Sequence, residues 1–238
     1  MTYLKLTRAK AILASFAIVS LLFVNFPSVD IQVSKWFFES GFYSQKEWWE
    51  QMLHHGVKYF VGISVGVILG LYAFNKFAKR SVGGVDGKKV VYALTVLILG
   101  AGLLVNAGFK DHFGRARPRD VHEFGGAKLF TPAYVVSNQC TTNCSFVSGD
   151  TAAAFFSLTL AMAFRRRRAL LLASLAFGIG VSIARLAAGA HFLSDVTVAF
   201  FVMLITSDVL YHYMLSPERE ALRMKKAVPA IAVAPAAD

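Results

Sequence analysis

Six runs of mostly apolar residues, at about 9–27, 57–75, 90–110, 148–164, 169–187 and 195–215, set the limits on what this chain can become. Each approaches the roughly 20 residues an α-helix needs to cross a bilayer. The composition agrees: of 238 residues 56% are hydrophobic and 16% charged, with a mean hydropathy of +0.53. A water-soluble domain does not carry that balance. The expected fold is therefore all-α: an integral membrane bundle of six transmembrane helices, forming one domain over 1–215. The fourth and fifth runs are separated only by Arg165 to Arg168. One continuous buried helix would place four arginines in mid-bilayer at prohibitive cost, so a tight surface turn is expected there.

The charges give an orientation. With six spans, both ends and the second and fourth loops share a side. That side holds Lys5, Arg8, Lys10, Lys76, Lys79, Arg80, Lys88, Lys89, Arg165 to Arg168, Arg219, Arg223, Lys225 and Lys226, which is 16 of the 25 basic residues. Positive loops stay in the cytoplasm, so both termini are expected there. The net charge of +11 is mostly this topology signal. No basic stripe interleaved with aromatics argues for nucleic acid, and none is expected as a partner. The first run is long and no small-residue cleavage site follows it, so it reads as an anchor rather than a cleaved signal peptide. The tail 216–238, rich in Ala and Pro, reads as disordered. All three tryptophans, Trp36, Trp48 and Trp49, fall between Asp30 and Lys58. Such aromatics settle at headgroup level, so an outer interfacial helix or two is expected, with a lipid-steering lid as the sharper alternative.

Three polar stretches interrupt the apolar chain: KDHFGRARP at Lys110 to Pro118, CSFVSGD at Cys144 to Asp150 and RLAAGAHFLSD at Arg185 to Asp195. In the six-span layout all three emerge on the outer face. Singly, each residue has a structural reading. Lys110 can snorkel, Arg117 can meet a headgroup, Ser148 and Asp150 can cap a helix, and His191 can sit in a turn. Jointly they are a kit for phosphoryl transfer, where catalysis is mostly positioning and charge stabilisation. Lys110, Arg117 and Arg185 supply cations. The Ser148 hydroxyl and Gly149 N–H open a helix whose N-terminus favours an anion. His191 is the best nucleophile, and Asp195, four residues on, can accept from its other ring nitrogen and fix the tautomer. No Cys/His cluster or carboxylate pair has convincing ligand spacing, so no metal or other cofactor is expected.

This constellation resembles the type 2 phosphatidic acid phosphatase superfamily, whose relatives include vanadium haloperoxidases. The family pattern is Lys-x6-Arg-Pro, then Pro-Ser-Gly-His, then Ser-Arg-x5-His-x3-Asp. Lys110, Arg117 and Pro118 complete the first part, and Arg185, His191 and Asp195 keep the third at its spacing, with Ala184 replacing the serine. The second reads Val147-Ser148-Gly149-Asp150, so both the proline and the histidine are replaced. The resemblance covers about 106–198. It implies the helical bundle shared by that family and the haloperoxidases, attack by His191 on a lipid-linked phosphate, and hydrolysis of the phosphohistidine by water. The membrane spans exclude a soluble haloperoxidase-like role. CTTNCSFVSGD and the length look most like bacterial lipid A 1-phosphatases, which implies an inner-membrane protein with a periplasm-facing site. Undecaprenyl diphosphate phosphatase is the runner-up and phosphatidylglycerophosphate phosphatase the third. A lipid phosphotransferase of the same family and a non-catalytic lipid-binding relative are the other classes.

Asp150 is the informative departure, because the family histidine there protonates the leaving oxygen. Three accounts are open: a general acid held protonated, which surrounding cations oppose; a plain helix-start residue serving a substrate with a good leaving group; or lost activity. Weaker signals surround the core. Arg115 and Arg119 point toward a headgroup or are held by Asp111, Asp120 or Glu123. His112 reads as a loop residue. Asp208 and His212 read as a structural pair near the cytoplasmic end. Cys140 and Cys144, the only cysteines, form either a disulfide, which an oxidising periplasm would permit, or two free thiols.

Overall fold

The computed structural model describes residues 2–44, 47–110, 112–164 and 168–216, with side chains from Arg8 onward. Residues 165–167, where most of the expected turn falls, Asp111 and the residues after Ser216 lie outside the described residues. Within them the fold is all-helical, with seven helices and two isolated β-bridges. These are α1 (Thr2–Asn25), α2 (Ser28–Lys35), α3 (Trp48–Ala78), α4 (Gly87–Lys110), α5 (Gly149–Ala163), α6 (Arg168–Ala187) and α7 (Leu193–Leu215). From Leu97 onward α4 widens to the looser i→i+5 winding. There the Asn106 side-chain amide donates to the Ala101 carbonyl at 2.7 Å, helping to satisfy the widened turn.

Among the described residues, five helices are long and apolar enough to cross a membrane: α1 from Arg8, α3, α4, α6 and α7. The fourth expected span is the exception. Its helix, α5, has 15 residues and so rises only about 22 Å, short of the roughly 30 Å hydrocarbon layer. The shortfall fits its position. Helix α5 packs against α3, α4, α6 and α7, and its Ala152, Ala154, Phe155, Phe156 and Leu158 lie in the core. A Cβ on Gly178 of α6 would stand 2.2 Å from the Phe155 ring, so glycine is what lets these two helices meet. By contrast only 6% of the apolar window of α1 is buried. That helix is held to α7 by Phe16 against Phe201 and by Arg8 to Asp208 at 2.7 Å. Asp208 therefore pairs with Arg8, not with His212 as expected, because α1 brings a full cation to that end of α7.

The second span also begins earlier than expected, at Trp48 instead of residue 57. Three of its first eight residues, Glu50, His54 and His55, are ionisable, which lowers the local hydropathy and hides the helix start from an apolar-run reading. The tryptophan-rich region is part α2 and part this extension, and Trp36 and Trp48 are exposed. It does not stand apart as a lid: Asp30 and Glu50 from it are buried inside the protein.

Candidate active site

Three backbone hydrogen bonds stitch the polar stretches together. Ser145 N–H donates to the Arg115 carbonyl at 2.9 Å, Ser148 N–H to the Asp195 carbonyl at 3.3 Å, and Arg119 N–H to the Gly189 carbonyl at 3.0 Å. Gly189 makes the turn after α6 at φ +58°, a conformation costly for any residue with a Cβ. The Phe42 ring packs where that Cβ would be.

His191 follows this turn and is 2% exposed. Its Nδ1 lies 2.8 Å from the Ser145 carbonyl and 3.7 Å from Asp195 Oδ2. A carbonyl only accepts, so Nδ1 carries the proton and Nε2 keeps its lone pair. The tautomer is thus set mainly by a backbone carbonyl, and the expected direct bond to Asp195 is not formed. Burial pushes the His191 imidazole down to about 4, against the opposing pull of Asp195. It is a neutral, lone-pair-bearing base at neutral pH.

Asp195 instead anchors the support beneath His191. Its Oδ2 accepts from Ser145 Oγ at 2.5 Å and from Phe192 N–H at 2.7 Å, and its Oδ1 from Arg115 Nη1 at 2.6 Å. Arg115 is the largest surprise in the chain. Rather than meeting a headgroup, Asp120 or Glu123, it is 1% exposed, while Asp111 lies outside the described residues. It donates from Nε to the Thr131 carbonyl at 2.7 Å, from Nη1 also to Ser194 Oγ at 2.8 Å, and from Nη2 to Asp30 at 2.8 Å. Its guanidinium stacks 4.3 Å from the Phe192 ring centre. Asp30, on α2, also accepts from the Ser194 N–H and hydroxyl. A buried guanidinium needs this full set of partners, since a charge left unpaired there is expensive. Arg119 does keep one expected neighbour, Asp120, at 4.0 Å, and His112 is an exposed loop residue.

On the other side of the cluster stand Arg185 and Asp150. Arg185 Nη1 pairs with Glu50, and its Nε lies 3.2 Å from Asp150 Oδ2, a charge contact without aligned hydrogen-bond geometry. The same Asp150 oxygen accepts from His54 Nδ1 at 2.8 Å. Asp150 also lies close enough to His191 for a positive charge on that ring to be felt at its carboxylate. Glu50 and His54 escaped the sequence reading because their helix precedes the motif region. The signal for them was present: two ionisable residues four apart at the head of an apolar helix share one face.

Arg117 donates from Nη2 to the Asn143 carbonyl at 2.8 Å. Burial, with Arg119 and Arg185 as neighbouring positive charges, lowers its pKa from the usual arginine range. Such a cluster of like charges gains from an anion placed among it. Asn143 sits in a short loop closed by a disulfide between Cys140 and Cys144, so the oxidised alternative is the one formed. Ser148 caps α5, its fully buried hydroxyl accepting from Thr151 N–H at 3.3 Å. A Cβ on Gly149 would lie 3.1 Å from Asn106 Oδ1 and 3.7 Å from Lys110 Nζ, which places the Lys110 ammonium beside the start of α5. Among the described residues no three His, Cys, Asp or Glu side chains gather to hold a metal ion. The arrangement offers a buried neutral imidazole, cations from two of the three stretches and, from the remaining one, a helix N-terminus, which suits attack on a phosphate.

The PAP2 superfamily model matches residues 89–218. A lipid A 4'-phosphatase of Francisella tularensis subsp. novicida is 34% identical over 205 residues, covering 82% of this chain and 90% of that protein. Lipid A 4'-phosphatases of Rhizobium etli and Rhizobium leguminosarum are 41% and 40% identical over 125 residues, 52% of this chain and about half of each relative (49% and 54%). The crystal structure of a transmembrane PAP2-type phosphatidylglycerolphosphate phosphatase from Bacillus subtilis aligns with TM-score 0.52 and 17% identity, over 85% of this chain and 94% of that one. The Francisella and the two Rhizobium relatives carry the 4' position in their names, whereas the sequence reading favours the 1-phosphate. By the match of the family model and the length of the Francisella likeness, the chain belongs to the PAP2 superfamily.

Proposed function

We propose that this chain removes the 4'-phosphate of lipid A at the outer face of a bacterial inner membrane, through a phosphohistidine on His191. Membership of the superfamily and its membrane helices make it a phosphatase of a membrane lipid phosphate. The position on lipid A rests on one observation, the length of the Francisella likeness. A match over 82% of this chain starts before α3 wherever it ends, so it takes in more than the 89–218 module that the whole superfamily shares.

The chemistry follows from the geometry. Lys110, Arg117, Arg185 and the start of α5 hold the phosphate oxygens. The Nε2 lone pair of His191 attacks phosphorus, and the bond to the sugar oxygen breaks. Asp195 and the Ser145 carbonyl keep the ring oriented as it gains positive charge. Water then attacks phosphorus, the P–N bond breaks, and inorganic phosphate leaves. The test is mass spectrometry of lipid A after incubation with purified protein in detergent. Loss of the 4'-phosphate with the 1-phosphate kept, and no turnover by His191→Ala, is expected. Loss of the 1-phosphate instead, or release only from undecaprenyl diphosphate, would overturn the assignment of substrate.

A further inference from the structure

Breaking a phosphate ester of a sugar ring hydroxyl expels an ordinary alkoxide, which needs a proton as the bond breaks. That demand rests on the 4'-phosphate reading. It also removes the good-leaving-group account of Asp150, because the 4' oxygen is not anomeric. Asp150 itself is poorly placed to be the acid. Its Oδ2 is already taken up by His54 and Arg185, an arrangement that suits a positioned carboxylate.

We infer that His54 is the general acid of this phosphatase, held by Asp150, so that a histidine from α3 performs the proton transfer for which the second motif lacks one. The His54 ring donates from Nδ1 to Asp150 at 2.8 Å, and its Nε2 lies on the opposite edge of the imidazole. The ring is 28% exposed, against 2% for His191, so protons can reach it from water. Asp150 stands in the first turn of α5 beside Gly149, one residue from the helix N-terminus assigned to the phosphate. Nucleophile and acid then flank the same site, His191 from the turn before α7 and His54 from α3. In the first step the Nε2 proton of His54 passes to the sugar oxygen as the P–O bond breaks. In the second, the neutral ring takes a proton from the water attacking the phosphohistidine, which restores the starting form.

The groups around His54 suit this cycle. Asp150 faces it from α5 with Arg185 of α6 behind, Glu50 lies one turn earlier on α3, and the His55 ring centre is 5.2 Å away. Lys58 Nζ, which can only donate, points at Nε2 at 3.4 Å from one turn later. Nε2 therefore accepts in this arrangement and can carry the transferable proton only once Lys58 has left. Lys58 is exposed, so its side chain can swing aside when a lipid phosphate arrives.

The experiment compares lipid A with p-nitrophenyl phosphate, whose nitrophenolate leaves without a proton. His54→Gln should lower kcat/KM on lipid A by about 10²–10⁴-fold, the usual range for a general acid. On the nitrophenyl ester the loss should be less than about tenfold, since that step bypasses the acid. Equal losses on both, or none on either, would overturn the inference. Should His54→Gln not fold, Asp150→Asn decides through the same pair of substrates. Loss of the carboxylate that holds the His54 ring should lower kcat/KM on lipid A well beyond its effect on the nitrophenyl ester, and equal losses on both overturn the role of His54. A parent inactive on lipid A would refute the substrate assignment, a distinct failure.

Discussion

Two carboxylate–arginine clusters flank the candidate site, alike in composition and opposite in surroundings. Behind His191, the side chains of Asp30, Arg115 and Asp195 are each 1% exposed or less. On the other flank the side chains of Glu50, Arg185, Asp150 and His54 are 5%, 7%, 13% and 28% exposed. In the first cluster, four nitrogen-to-oxygen bonds and an aromatic face satisfy a guanidinium shut away from water. In the second, one guanidinium nitrogen lacks an aligned partner, and exposure rises toward a histidine. Dry and saturated charges act as structure. Graded, incompletely paired charges can change protonation or take up a ligand.

Replacing the two arginines breaks the comparison most sharply. Arg115→Ala leaves Asp30 and Asp195 as unpaired buried carboxylates, and stability should fall by about 3–5 kcal/mol. Thermal or denaturant unfolding in detergent would show it, together with lost turnover, since the peptide carrying His191 hangs from Asp195. Arg115→Lys should rescue little, because one ammonium cannot reproduce the fork. Arg185→Lys should do nearly the reverse. Stability should change far less, because the lysine can still face Glu50, while kcat/KM on a lipid phosphate drops about 10²–10³-fold for want of oriented donors. If both variants lost stability equally, the division between a structural and a working cluster would be wrong.

That division was only half legible in the sequence. Spacing within each motif exposed Lys110, Arg117, Arg185, His191 and Asp195, because short-range patterns survive folding as they are written. Apolar length gave the membrane helices, but it overstated α5, whose greasy residues face protein instead of lipid. Asp30, Glu50 and His54 reach the site from 85, 135 and 96 positions away from their partners Arg115, Arg185 and Asp150. Nothing local in a sequence marks a pairing at that range. The aromatic richness around them pointed to the membrane interface and drew attention from the charges. Arg115 was misplaced for the same reason: its carboxylate partners Asp195 and Asp30 lie 80 and 85 positions away, not among the nearby Asp120 and Glu123.

A gentler probe of the dry side is pH. With its folded pKa near 4 and its unfolded value near 6.5, His191 adds nothing to the pH dependence of stability above pH 6.5. As pH falls from 6.5 to 4, the unfolded chain takes a proton that the folded one refuses, so stability declines. The unfolding midpoint in detergent should fall across that window in the parent, and His191→Gln should flatten this part of the curve. An equal slope in the variant would place the responsible group elsewhere.

The smallest expected effect lies where the two flanks meet the outer loop. The disulfide spans only Cys140 to Cys144, and so short a closure removes less unfolded-state entropy than the about 3 kcal/mol of a 15-residue loop. Its value should instead be local. The loop presents the Asn143 carbonyl to Arg117 and continues into Ser145, whose hydroxyl and carbonyl hold Asp195 and His191. The Ser145 bonds belong to the saturated cluster and should survive reduction. The single bond to Arg117 should not, because Asn143 then has freedom to turn away. Reduction, or Cys140→Ser, should therefore raise KM for the lipid phosphate severalfold while kcat and the unfolding midpoint barely move. A fall in kcat with KM unchanged would mean that the disulfide braces His191 and not the phosphate-binding arginine.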